Sequence, residues 1–199
     1  MTDLTIIKGS TFSRVLRWEA LPFQYIPITS ISRAAPCVVT AAGHGLVTGQ
    51  RAAVLSAGGM RQINAKSTPP TARDFHKVTF VGSTQVNFND IDSSEFTPYT
   101  SGGFLCSYTP VSLAGYSARM QIRSTAETAD PPLLSLTSPT DIVLDDTAHT
   151  ISLNISATAT AALTFSAGVF DLELVSGDAT PVVTKLLSGN IFATEEVTR

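Results

Sequence analysis

The chain has 199 residues, 43% hydrophobic and 15% charged, with 13 glycines and 11 prolines spread along it. That is enough chain to bury the core of one large domain or two small ones, and it is too apolar for a disordered segment. A formal net charge of −3 with scattered basic residues leaves no electrostatic footprint for nucleic acid.

No apolar run reaches the ~18 residues that a membrane helix needs. Met1 to Lys8 lacks the basic start and apolar core of a secretory signal. The sequence therefore predicts neither a nucleic-acid nor a membrane partner. Its low charge and many Ser, Thr and Ala residues suit a protein whose surface is largely covered within an assembly. Cys37 and Cys106 allow one bridge at most, and a reducing cytosol keeps both as thiols.

In chain order, Leu4 to Lys8 reads as a strand, Gly9-Ser10 as a turn, and Thr11 to Trp18 as a second strand. The second has an ambiguous face, because Arg14 falls in phase with Phe12 and Leu16 unless a bulge intervenes. Leu21 to Ile28, with Pro22 and Pro27, reads as an irregular or edge segment. From Arg33 to Tyr108 the strands shorten and the turns grow richer in glycine. Strands are expected at Pro36–Thr40, Gln50–Leu55, Phe75–Val81, Gln85–Phe88 and Gly102–Cys106, which is the density of a small β-barrel.

After Pro110 the first style resumes. Strands are expected at Ser117–Arg123, Leu133–Leu136, Ile142–Leu144 and Thr150–Ile155, then a short helix at Ser156–Leu163 with Ser156 or Thr158 as its cap. Gly168 to Val175 alternates apolar and polar residues at period two, as a half-buried strand does. Gly177-Asp178 reads as a turn, Val182 to Leu187 as a return strand, Ser188-Gly189-Asn190 as another turn, and Ile191 to Val197 as the last strand. The middle of the chain therefore reads as an insertion. Residues 33–108 form the inserted unit, and residues 1–32 with 109–199 form the outer one.

Candidate chemistry is sparse. His44 lies between two glycines and reads as a turn residue, and His76 and His149 stand alone. Cys37 and Cys106 sit at the two ends of the insertion, where their strands are expected to be neighbours and the thiols a packed pair. Asp141, Asp145 and Asp146 lack the glycine and bidentate Glu of a calcium loop and read as turn residues. No Gly-x-Ser-x-Gly elbow occurs. No catalytic, metal-binding or cofactor-binding residue is assigned, and the chain is expected not to be an enzyme. Phe23, Tyr25, Phe96, Tyr99 and Phe104 fall in loops or at strand edges. They either fill small cores or form contacts with neighbouring subunits. Phe96 and Tyr99 beside Asp90, Asp92 and Glu95 are the one cluster that suits a glycan.

Several phrases resemble phage proteins. Ile7-Lys8-Gly9-Ser10-Thr11-Phe12, Leu113 to Arg123, Ile151-Ser152-Leu153, Gly168 to Leu174 and the closing Glu196-Val197-Thr198-Arg199 resemble the immunoglobulin-like N-terminal domain of upper baseplate proteins. Val39 to Gln50, Gly58-Gly59-Met60, Ile63-Asn64 and Tyr99 to Gly103 resemble a β-barrel module of phage structural proteins. That module is similar to the first catalytic-cysteine half-domain of ubiquitin-activating enzymes and is itself non-catalytic. The resemblance implies an all-β chain, a discontinuous immunoglobulin-like β-sandwich carrying an inserted small β-barrel. It implies a virion protein made in the bacterial cytoplasm, a tail or baseplate subunit of a tailed bacteriophage. Its partners are then other tail, baseplate, fibre or neck proteins and symmetric copies of itself. The alternatives are a capsid decoration or neck protein, including a head-fibre base, and a host-glycan-binding module. The tail from Thr194 to Arg199 is expected to add to a neighbour's sheet or groove.

Overall fold

A computed structural model describes residues 2–129 and 131–197, and their regular secondary structure is almost entirely strand. In chain order the first strands are β1 (Leu4–Ile7), β2 (Phe12–Leu16), β3 (Glu19–Pro27) and β4 (Ser30–Ile31). β5 (Cys37–Thr40), β6 (Arg51–Leu55), β7 (His76–Gly82), β8 (Gln85–Phe88) and β9 (Phe104–Pro110) follow. The chain ends with β10 (Ser117–Arg123), β11 (Leu134–Thr137), β12 (Ile142–Asp145), β13 (Thr150–Ile155), helix α1 (Ala157–Ala161), β14 (Ala167–Val175) and β15 (Val183–Thr194).

Two compact units result, one holding the chain up to Trp18 and from Val111 onward, the other Glu19–Pro110. The division differs from the expected limits of 33 and 108. Residues 19–32 belong to the inserted unit because β3 pairs with β9 and β4 with β5.

The outer unit is a two-sheet β-sandwich. One sheet runs β1-β15-β14-β10-β11 and the other β12-β13-β2. Alternation builds both inner faces: Ala118, Met120 and Ile122 on β10, Phe170, Leu172 and Leu174 on β14, and Ile151, Leu153 and Ile155 on β13 all enter one core. Each such side chain contributes roughly 1.5–3 kcal/mol by leaving water. β1 and β2 do not pair with each other. β1 lies parallel to β15, and β2 lies antiparallel to β13 in the other sheet. The turn at Gly9-Ser10 thus carries the chain from one sheet to the other. No bulge marks β2; it is an edge strand, so Arg14 escapes to solvent on the face that Phe12 and Leu16 half bury.

The last hairpin is simpler than the sequence suggests. Strand β15 runs unbroken through Ser188-Gly189-Asn190, with one irregularity opposite Leu172/Glu173. Gly189 is there for space, since a Cβ at this position would meet the backbone of Thr2. Helix α1 forms as expected, with the Ser156 hydroxyl accepting from the Ala159 N–H at 3.2 Å. Its buried Thr160 hydroxyl lies 2.8 Å from the Ser10 carbonyl and fixes the sheet-crossing turn.

The inserted unit is a seven-stranded antiparallel sheet, β3-β9-β6-β7-β8-β5-β4. Its two end strands are consecutive in the chain, joined through Ile28 and Thr29. Ile28 donates to the Gly103 carbonyl at 3.0 Å and Thr29 to the Thr40 carbonyl at 2.9 Å, so the bonding passes from one side to the other. Val39, Val54, Met60, Val78, Val86, Phe88 and Leu105 fill the inner core. The glycine-rich phrases meet in one knot: Gly58 donates to Ser101 and accepts from Thr100, and the Asn64 amide brackets Ala57 through two bonds.

Candidate functional site

The outer face of the inserted sheet carries a second, smaller apolar cluster. On β9 the residues Phe104, Cys106 and Tyr108 point outward, opposite Pro27, Tyr25 and Phe23 of β3. Ala53 and Leu55 continue the face on β6, across from Cys106 and Phe104. Phe75, just before β7, closes over it. Phe23 and Tyr108 rings lie 4.7 Å apart, Phe75 and Tyr108 4.9 Å, and Phe23 and Phe75 5.6 Å. These separations suit aromatic pairs, each adding about 0.5–1.5 kcal/mol beyond burial.

The cluster is covered at its middle and open at its margin. Tyr25 meets Phe104 edge to face at 6.4 Å, and the two remain 49% and 43% exposed. Leu21, also on β3, is 67% exposed. The arrangement is a row of rigid aromatic side chains on a sheet, backed by packed rings and open to a partner.

Of the five sequence-selected aromatics, the structure brings Phe23, Tyr25 and Phe104 together here and places the other two elsewhere. Phe96 and Tyr99 pack against the inner core. The Tyr99 hydroxyl is shared between the carbonyls of Ile28 and Gly102, each at 3.0 Å, so this ring staples two loops. Two carboxylates of the glycan-like cluster have partners of their own. Asp92 holds the backbone N–H and hydroxyl of Ser94, and Asp90 holds His76. Phe75, Tyr108 and Leu21 were not selected. The period-two run Phe104-x-Cys106-x-Tyr108 is the signal that marks the face.

The remaining candidates take structural roles. His44 is buried, its Nδ1 accepting from the Leu46 N–H and its Nε2 3.0 Å from the Gly82 carbonyl, between Gly43 and Gly45 at positive φ. Cys37 and Cys106 are both free, and they are not a pair. Cys37 is on β5 in the inner core and Cys106 on β9 in the outer cluster, so they lie in different clusters on strands that are not neighbours. Burial pushes the Cys106 thiol up to about 11, although a hydrogen bond with Tyr25 opposes the shift. Burial raises Cys37 as well. Both effects make the thiols poor nucleophiles.

Asp141 accepts from Thr137, Asp145 from Ala148, and Asp146 from Leu113 at 2.6 Å and from the Ser112 hydroxyl. Each aspartate thus ties down a separate turn. Among the described residues no group of three or more His, Cys, Asp or Glu side chains stands together as metal ligands do. Thr198 and Arg199 of the expected docking tail lie outside the described residues. The neighbouring Glu195 pairs with Lys8 at 2.8 Å, and Glu196 accepts from Ser10.

No family model matches the chain, and no curated protein sequence matches it.

Proposed function

We propose that this chain is a structural subunit of a tailed bacteriophage particle, a tail or baseplate component that works by protein–protein contact. The observation that carries the reading is the aromatic margin of the inserted unit. Tyr25 and Phe104 sit half exposed on a packed bed of rings, and Leu21 of the same strand as Tyr25 is exposed. A free monomer gains nothing from holding them in water, whereas rigid aromatics concentrate energy in an interface. The phrases around Ile7–Phe12 and Leu113–Arg123, which resemble baseplate proteins, support the location.

In this reading the sandwich is an immunoglobulin-like anchor and the insert a small barrel, closed where β3 runs on into β4. Copies repeat around the axis of the particle. The side chains described above hold turns and loops together, which suits a scaffold. The test is the Tyr25→Ser/Phe104→Ser double variant, supplied in trans to phage lacking the chain. It is expected to fold, with an unchanged circular dichroism spectrum, and to be missing from purified particles. Normal incorporation overturns the assignment of this face.

A further inference from the structure

We propose that the inserted unit also carries an oxyanion-binding cleft at the paired ends of β6 and β7, a site separate from the aromatic margin in the chemistry it offers. A concavity of about 400 Å³ opens there, lined by Arg51, Ala72, Phe75, His76, Lys77 and Asp90. Arg51 and Lys77 are direct cross-strand partners. Their side chains therefore leave the sheet on one face, with Cβ atoms about 5 Å apart, where like charges repel. Both are exposed, and neither has an acidic partner among the described residues.

The outer sandwich treats its charges differently. There Arg119 faces Glu173 across β10 and β14 at 2.8 Å, and Lys185 meets Asp171 at 2.7 Å. The sequence thus matches opposite charges on one sheet and sets two cations together on the other. The only carboxylate lining the cleft, Asp90, is engaged by His76 Nδ1 at 2.8 Å. That contact orients the imidazole, and two cations against one carboxylate leave the cleft a net positive charge.

The walls are fixed before any ligand arrives. Phe75 is buried within the aromatic cluster. The loop carrying Ala72 is held by Asp74, which accepts from the Lys66 and Thr71 N–H groups and from the Ser67 and Thr71 hydroxyls. A preformed site saves the ordering cost of binding. A guanidinium fork beside an ammonium point charge recognises a carboxylate or a phosphate, and an apolar floor admits the carbon skeleton that bears it.

The test is a heteronuclear NMR titration of the full chain with inorganic phosphate and, separately, with glucuronate. Sodium chloride at equal ionic strength and neutral glucose serve as controls. Saturable shifts confined to residues 51 and 72–77, with a dissociation constant of roughly millimolar size, are expected. Lys77→Gln and Arg51→Gln should each weaken binding about tenfold, while Lys77→Arg retains it. Saturation by phosphate alone assigns a phosphate site, by glucuronate alone a carboxylate site, and by both a general oxyanion site. Shifts that stay linear for both ligands, or that survive Lys77→Gln in a variant with an otherwise unchanged spectrum, overturn the proposal.

Discussion

Tyr25 and Cys106 face each other across the β3–β9 ladder, and the phenol that shields the thiol is itself half exposed. The same ring thus belongs to the covered cluster and to the open margin. Its removal should have a local chemical signature as well as an effect on assembly. In Tyr25→Ala, alkylation of Cys106 by iodoacetamide should accelerate about tenfold or more while Cys37, in the inner core, keeps its rate. Mass spectrometry of the two cysteine peptides reads both rates in one experiment.

The raised thiol value also sets a pH dependence. The folded-state value of about 11 lies above the ordinary thiol value of 9.0. The stability tied to the neutral thiol is therefore fully present below the unfolded value and is lost as pH rises towards the folded one. The urea midpoint should hold steady up to about pH 8 and fall between 9 and about 11. Cys106→Ala should flatten that decline.

Tyr99 tests the distinction between staple and interface. Removing its hydroxyl in Tyr99→Phe deprives the Ile28 and Gly102 carbonyls of their shared donor at a cost of about 1 kcal/mol. The melting temperature should drop by a few degrees, about 2–4 °C for a chain of this size. Incorporation into particles should not change.

Gly189 should resist substitution because of its neighbour, not its own backbone. A Cβ there meets the Thr2 backbone, so Gly189→Ala is expected to cost about 1–3 kcal/mol. Deleting residues 1–3 should cost less in the Gly189→Ala background than in the wild type, because the clash goes with the segment. Thermal denaturation of the four chains measures the coupling.

Asp74 carries a prediction of opposite sign to the thiol. Bonds from Lys66, Ser67 and Thr71 hold its carboxyl well below the usual carboxylate range. Its contribution is present above the unfolded value of 3.8 and is lost only as pH falls towards the depressed folded value. The protection factors of the Lys66 and Thr71 amides should therefore hold near about pH 4 and fall in more acid solution. Asp74→Ala should show the lower protection near about pH 4, and the two chains should converge as the solution becomes more acid.

The strands whose burial follows period two were legible from sequence, β10, β13 and β14 above all, because one face meets a core and the other meets water. The helix cap was legible as Ser156 or Thr158, and the structure gives it to Ser156, whose hydroxyl serves the first turn. The features that were not legible depend on partners distant in the chain. Gly189 looks like a turn residue until Thr2 is seen against it. Pro22 and Pro27, by contrast, already marked an irregular or edge segment, and β3 is an end strand that pairs with β9 and shifts register between Ala20 and Phe23. Cys37 and Cys106 look like a pair because they bracket the insertion, but they fall in different clusters on strands that do not adjoin. The aromatic site was half visible: Phe23, Tyr25 and Phe104 stood out as aromatics, while their support by Phe75 and Tyr108 required the register of β3 against β9.

The central claim is that this chain is a tail or baseplate subunit, and antibody-gold labelling of purified virions in the electron microscope tests it most directly. Gold at the tail tip or fibre roots, repeated around the axis, is the result expected. Gold over the head or neck, or particles that carry none, would contradict it.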